Sequence, residues 1–183
     1  MSRTIMVTGP AGAGKSQAAA AWAARGSTPR ACIDSDALRL HVRAGFAAPE
    51  RGWNDETQRQ WDIAMELWSA MVRVYQRHDI DCVIDIYAPP FPSPTGDDVI
   101  AELGIDRIVL LPSLETCLER NRLRAREPLL EDRHLIDNYV GFAECVSAYR
   151  PANVIDNGAM STEETVDLVE QLSNRGAEAS DGR

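Results

Sequence analysis

Lysine is all but missing from this chain. Of its 183 residues, 19 are Lys or Arg, and Lys15 is the only lysine. GTPases read guanine with an Asn-Lys-x-Asp element, which a chain whose one lysine stands in "GPAGAGKSQ" cannot contain. Patterns that bind metals or form disulfides are missing too. The four cysteines (Cys32, Cys82, Cys117, Cys145) are scattered with no C-x-x-C pair, so there is neither a zinc ribbon nor a disulfide framework. Cys32 and Cys82 fall in apolar, strand-like runs and are expected as reduced core residues. No apolar stretch approaches the roughly 20 residues of a membrane span, and no signal-peptide core follows the N-terminal arginine. A cytoplasmic protein without a membrane partner is the expectation. Positive charge is also in deficit: net charge is −9 and pI about 4.8. That balance opposes a long nucleic-acid backbone as partner, although a local basic groove could still exist.

What is present suits one domain with a full hydrophobic core, taken as residues 1–173, followed by a small polar tail, 174–183, expected to be disordered. Strand-like runs (Thr4–Thr8, Ala31–Asp34, Asp81–Ile86, Asp106–Leu111, Asn153–Ile155) alternate with helical segments. This is the pattern of an α/β fold whose parallel sheet is covered on both faces. Helices are predicted over Gln17–Arg25, Asp36–Ala44, Asp55–His78, from Ser113 to before Pro128, over His134–Ser147 and over Ser161–Leu172. In the longest, Trp61, Ala64, Met65, Trp68, Met71, Val72 and Tyr75 form one apolar stripe. "APPFPSP" after the third strand reads as a loop.

The lysine stands where a lysine has a specific use. Gly9, Pro10, Ala11, Gly12, Ala13, Gly14, Lys15 and Ser16 satisfy G-x-x-x-x-G-K-S, with a strand before and a helix, opening at Gln17, after. Glycines let backbone N–H groups turn inward around phosphates, and the helix N-terminus adds a favourable dipole. A compact ammonium on a flexible stem reaches the β- and γ-phosphates, where a planar guanidinium binds differently. Ser16 is the candidate ligand for Mg²⁺. A hydrolase of the motor type would follow its strand-end aspartate with a glutamate. Here the candidate strand-end aspartate, Asp85, is followed by Ile86, so transfer is favoured over hydrolysis.

A kinase needs a base, a carboxylate that orients the metal and cations for the moving phosphoryl group. "CIDSDALR" offers Asp34 or Asp36 as base at the ligand end of the second strand, with Arg39 on the same side as Asp36. Asp85 is placed to act on magnesium through water. In "ERNRLRAREP", Arg120 and Arg124 share one helix face and Arg122 and Arg126 another, since positions four apart differ by about 40°. These arginines lead into a lid at about 120–134. Arg120 and one of Arg124 or Arg126 are the candidates for phosphate contact. Trp53 is a candidate wall of the acceptor pocket, with His41, Phe46 and Phe91 weaker ones.

Together the glycine-rich loop, "IDSDALR" and "LPSLETCLERNRLR" resemble a group of P-loop kinases: zeta-toxin-like kinases, chloramphenicol phosphotransferase, the tunicamycin-resistance protein and the 5′-kinase domain of polynucleotide kinase. The resemblance implies a five-stranded parallel core of order 2-3-1-4-5, a small lid, ATP with Mg²⁺, and transfer to a hydroxyl. Within the group the base matches Asp36 in some members and Asp34 in others. "NVIDNG" resembles the segment beside adenine, which brings in Asn157 and Gly158. Three functions follow in order: an ATP-dependent phosphotransferase for a small-molecule hydroxyl, an oligonucleotide 5′-kinase, and a nucleotide-binding regulatory module without transfer activity.

Overall fold

A computed structural model describes residues 2–90, 94–123, 130–149 and 151–180. Five strands, β1 (Thr4–Thr8), β2 (Arg30–Asp34), β3 (Asp81–Asp85), β4 (Ile105–Leu110) and β5 (Val154–Ile155), form one sheet of order β2-β3-β1-β4-β5. All the pairings are parallel. Helices α1 (Lys15–Ala24), α2 (Ser35–Arg39), α3 (Asp55–Arg77), α4 (Pro94–Glu102), α5 (Leu114–Arg122), α6 (Asp132–Tyr149) and α7 (Thr162–Ser180) connect and cover it. The expected strand order is the observed one.

The two-residue period of β1 divides the core. Ile5 and Val7 face α1 and α7, packing with Trp22, Val166 and Val169. Met6 faces the other way, onto Trp68 and Val72 of α3. β3 repeats the division, with Val83 in the first cluster and Cys82 and Ile84 in the second. A strand buried on both faces reads as a continuous apolar run, which is why "TIMV" and "CVI" carry no alternation. The stripe on α3 packs as expected, with Ala64, Trp68 and Val72 fully buried and Trp61, Met65, Met71 and Tyr75 partly so.

Four local expectations need correction. α2 stops at Arg39, five residues short of the predicted Ala44, because the buried amide of Gln60 takes the backbone of the next segment. Its Oε1 accepts from Ala47 N–H at 3.0 Å and its Nε2 donates to Gly45 O at 2.8 Å. α4 follows the proline-rich loop where no helix is expected; a proline fits the first helical position, where no N–H bond is needed. Cys32 is exposed, since β2 is an edge strand, whereas Cys82 in β3 is buried. α7 runs to Ser180 and so includes residues placed in the disordered tail. Arg124, Arg126 and Phe91 lie outside the described residues.

Register sets the position of the site. Asp34 pairs with Asp85, and Val7 with Asp85, so the two carboxylates leave the sheet side by side next to the end of β1. Packing makes a direct prediction about two tryptophans. Trp68→Ala should cost about 3–5 kcal/mol, and Trp53→Ala, at a side chain 56% exposed, under about 1 kcal/mol. Urea denaturation followed by circular dichroism measures both.

Candidate active site

β1 ends at Thr8 and α1 begins at Lys15, so the intervening chain must reverse within one tight turn. A Cβ at Gly12 would lie 2.5 Å from the carbonyl oxygen of Cys117 in α5, and the φ of +80 excludes other residues independently. Gly14 caps α1 in the left-handed conformation, φ 91. Ala13 N–H closes the turn on Pro10 O at 3.2 Å. Lys15 Nζ reaches back to that same carbonyl at 3.0 Å, which carries its ammonium across the loop. No acidic residue occupies the first turn of α1, so its N-terminal N–H groups and dipole are not cancelled locally.

The Ala13 carbonyl is held by two donors, Arg120 Nη1 at 3.2 Å and Asn157 Nδ2 at 3.0 Å. Arg120 Nη2 also donates to Asn157 O at 2.8 Å, tying α5 to the segment after β5. Arg120 is thus brought to the base of α1, beside Gly14 and Gln17, in a pocket also lined by Ala18, Met160 and Thr165. Asn157 is 4% exposed, and its buried Oδ1 has no hydrogen-bond partner among the described residues. Gly158 stands next to it, donating to Asp156 Oδ1. Arg122 points elsewhere and pairs with Asp132 at 2.6 Å, which fixes α5 to the start of α6.

Carboxylates gather on the other side of the loop. Asp85 is 7% exposed at the end of β3. Burial pushes its carboxyl up from the ordinary range; a hydrogen bond from Ser16 and the nearby Lys15 ammonium work against this, and the charges of Asp34 and Asp36 reinforce it. Asp34 caps α2, accepting Ala37 N–H at 3.0 Å. Asp36 is open to solvent, with its side chain 76% exposed. The loop lysine, the loop serine and the other two aspartates thus all act on the Asp85 carboxyl.

Arg39 lies beside Asp36 as expected, with Nη1 4.0 Å from Oδ1, but it is itself buried. Its guanidinium sits between Phe46 and Trp61, 5.4 and 5.5 Å from the ring centroids, and Nη2 donates to Ala47 O. It anchors the segment after α2. Trp53 packs at 5.8 Å against Trp61, outside the α3 stripe, with Nε1 bonded to Gln58. One contact had no counterpart in the motifs: Asn138 on α6 accepts the Ala11 N–H through Oδ1 at 2.9 Å. The available signal was a polar residue on the inward stripe Leu135–Asn138–Phe142, whose two apolar members are fully buried.

No family model matches the chain, and no curated protein matches it. Solved structures do match along nearly its whole length. A tunicamycin resistance protein from Deinococcus radiodurans is 16% identical, covering 96% of this chain and 95% of its own, with TM-score 0.62. A gluconokinase from Sinorhizobium meliloti 1021 is 20% identical, covering 97% and 94%, with TM-score 0.65. A shikimate kinase from Bacteroides thetaiotaomicron is 19% identical, covering 93% and 97%, with TM-score 0.63. The fold is that of the P-loop kinases. At these identities the likeness carries the architecture, and the finer grouping with zeta-toxin-like kinases rests on sequence motifs alone. Within the P-loop fold the glycine-rich turn, Lys15 and Ser16 occupy the junction of β1 and α1.

Asp85 yields a test of the site's electrostatics. Because burial raises its pKa, the folded chain holds that proton more tightly than the unfolded chain, so the ionised carboxylate costs stability at neutral pH. Asp85→Asn, which can still accept from Ser16, should raise the Tm of the ligand-free protein by about 2–4 °C at pH 7. That gain should shrink as the pH falls, because the native carboxyl takes up its proton before the unfolded one does. A thermal-denaturation series against pH checks both.

Proposed function

We propose that the protein is an ATP-dependent kinase that moves the γ-phosphoryl group of ATP to a hydroxyl of a small molecule. The observation that carries this reading is the convergence of Lys15, Ser16, Asp85, Asp34 and Asp36 at one end of a parallel sheet. The kinases among its structural likenesses support it. The pocket of Gly14, Gln17, Arg120 and Asn157 takes the nucleoside end of ATP, and the half-satisfied amide of Asn157 suits a base edge. Gly9 to Ser16 wrap the phosphates, and Lys15 neutralises the β–γ bridge.

The donor set fits magnesium. Among the described residues no group of three His, Cys, Asp or Glu could cage an ion. Mg²⁺ prefers one or two protein oxygens plus phosphates and waters, and Ser16 with Asp85 behind it supplies that. When bound, it would screen charge on the transferring group.

Asp36 is the base. Its exposed carboxylate is free to accept the acceptor's hydroxyl proton, whereas Asp34 has one oxygen committed to capping α2. Asp34 orients the acceptor beside it. The segment after α2, fastened by Arg39 and Gln60 and rimmed by Trp53, walls the acceptor pocket. A net charge of −9 favours a compact acceptor over a polynucleotide.

The test is ATP consumption across a panel of sugars, sugar acids, nucleosides and hydroxylated antibiotics, with mass spectrometry of the product. A phosphorylated small molecule is expected, and labelling of oligonucleotides alone would contradict the reading. With the acceptor in hand, Asp36→Asn should lower kcat about 10²–10⁴-fold while leaving ATP affinity intact. If only Asp34→Asn does so, the two roles are reversed.

A further inference from the structure

The P-loop is held from outside by a helix on which neither motif bears. Asn138 lies on α6, whose inward stripe carries the fully buried Leu135 and Phe142. Its neighbour Tyr139 fixes the same helix to the end of β4 by donating to Pro112 O at 2.9 Å. α6 is therefore seated against the catalytic end of the sheet, and Asn138 projects from it onto the loop.

The chemistry of the contact fixes the orientation of the carboxamide. The partner at 2.9 Å is the Ala11 N–H, which can only donate, so the atom facing it must be Oδ1. Nδ2 is then the outward end. Asn138 is half-buried, and its Nδ2 donates to no other described residue. A carboxamide locked by one oxygen presents its two N–H bonds in a set direction.

The place also matters. Pro10 O and Ala11 N–H belong to one peptide group. Lys15 Nζ holds its oxygen and Asn138 its N–H, so the lysine and the asparagine brace that group from opposite sides. It lies at the lip of the loop, before the turn that leads into α1. Phosphates seated on the α1 N-terminus and on Lys15 run from there outward, and the lip is where the last of them ends.

We infer that Asn138 reads the γ-phosphate: its Oδ1 is anchored by Ala11 N–H so that Nδ2 donates to a terminal phosphoryl oxygen present in ATP and absent in ADP. This inference rests on the nucleotide reading above and goes beyond it, since no loop or lid motif includes the residue. It also couples α6 to the state of the nucleotide.

Two variants separate reading from mere bracing. In Asn138→Asp the carboxylate still accepts Ala11 N–H but presents an oxygen where the donor was; in Asn138→Ala both roles are lost. Titrate wild type and both variants with a non-hydrolysable ATP analogue and with ADP, each with magnesium, by calorimetry. Asn138→Asp should lose at least about tenfold in affinity for the triphosphate (about 1.4 kcal/mol) with ADP affinity changed less than about threefold, and Asn138→Ala should show a smaller loss of the same selectivity. If Asn138→Asp keeps the wild-type ratio of triphosphate to ADP affinity, or loses both equally, the residue only braces the loop and the assignment is overturned. Wild type that binds neither nucleotide overturns the nucleotide reading, and this one with it.

Discussion

The carbonyl of Ala13 accepts from Arg120 and Asn157 at once, and the mouth of the site depends on that junction. It joins three parts far apart in sequence: the turn before α1, the last turns of α5 and the segment after β5. With the carbonyl occupied, the loop has little freedom to rotate that peptide toward a bound anion. Gly12 is pressed so closely against the Cys117 backbone that no side chain could be added without moving α5. Lys15 and Asn138 fix the opposite side, on the Pro10–Ala11 peptide. The cradle is preorganised by hydrogen bonds to its backbone, leaving α1's N–H groups and dipole to act on a ligand.

Charge is divided across this cradle. A lysine and the N-terminus of α1 stand on one side, and three aspartates on the other. Burying one of these carboxylates opposes folding: burial first, and then the charges of Asp34 and Asp36, push the Asp85 carboxyl up. It is tolerated because a parallel sheet delivers all strand ends to one edge, where Ser16 and Lys15 offset part of the repulsion. A cation–aromatic cluster around Arg39 sits beside it and stiffens the segment after α2. A second, with Arg30 4.3 Å from the Trp22 ring centroid and paired to Glu170, lies at the far end of the same strands and serves the fold.

Most of the sheet was legible because local signals agreed with the global solution. Apolar runs at β1 and β3, the glycine turn and the start of the last helix next to Ser161, whose hydroxyl accepts Glu164 N–H, all appear where expected. Asp34, Asp36 and Asp85 were legible because strand ends in parallel sheets meet. What escaped depends on distant partners. The early end of α2 depends on Gln60, in the second turn of α3, and the burial of Arg39 on the Phe46 and Trp61 rings. The exposure of Cys32 follows from its strand being at the edge, which no run of residues announces. The bonds of Arg120 to the loop backbone and to Asn157 likewise join segments far apart in sequence. Asn138 left only a faint signal, a polar break in an inward stripe.

The central claim is that the loop closed by Lys15 holds the phosphates of a nucleoside triphosphate. Calorimetry of the magnesium–ATP complex against wild type and Lys15→Met tests it most directly. The account predicts saturable binding by wild type and at least about tenfold weaker binding by the variant, as expected for removal of a charge-assisted hydrogen bond. No binding by wild type, or equal binding by the two proteins, would contradict it.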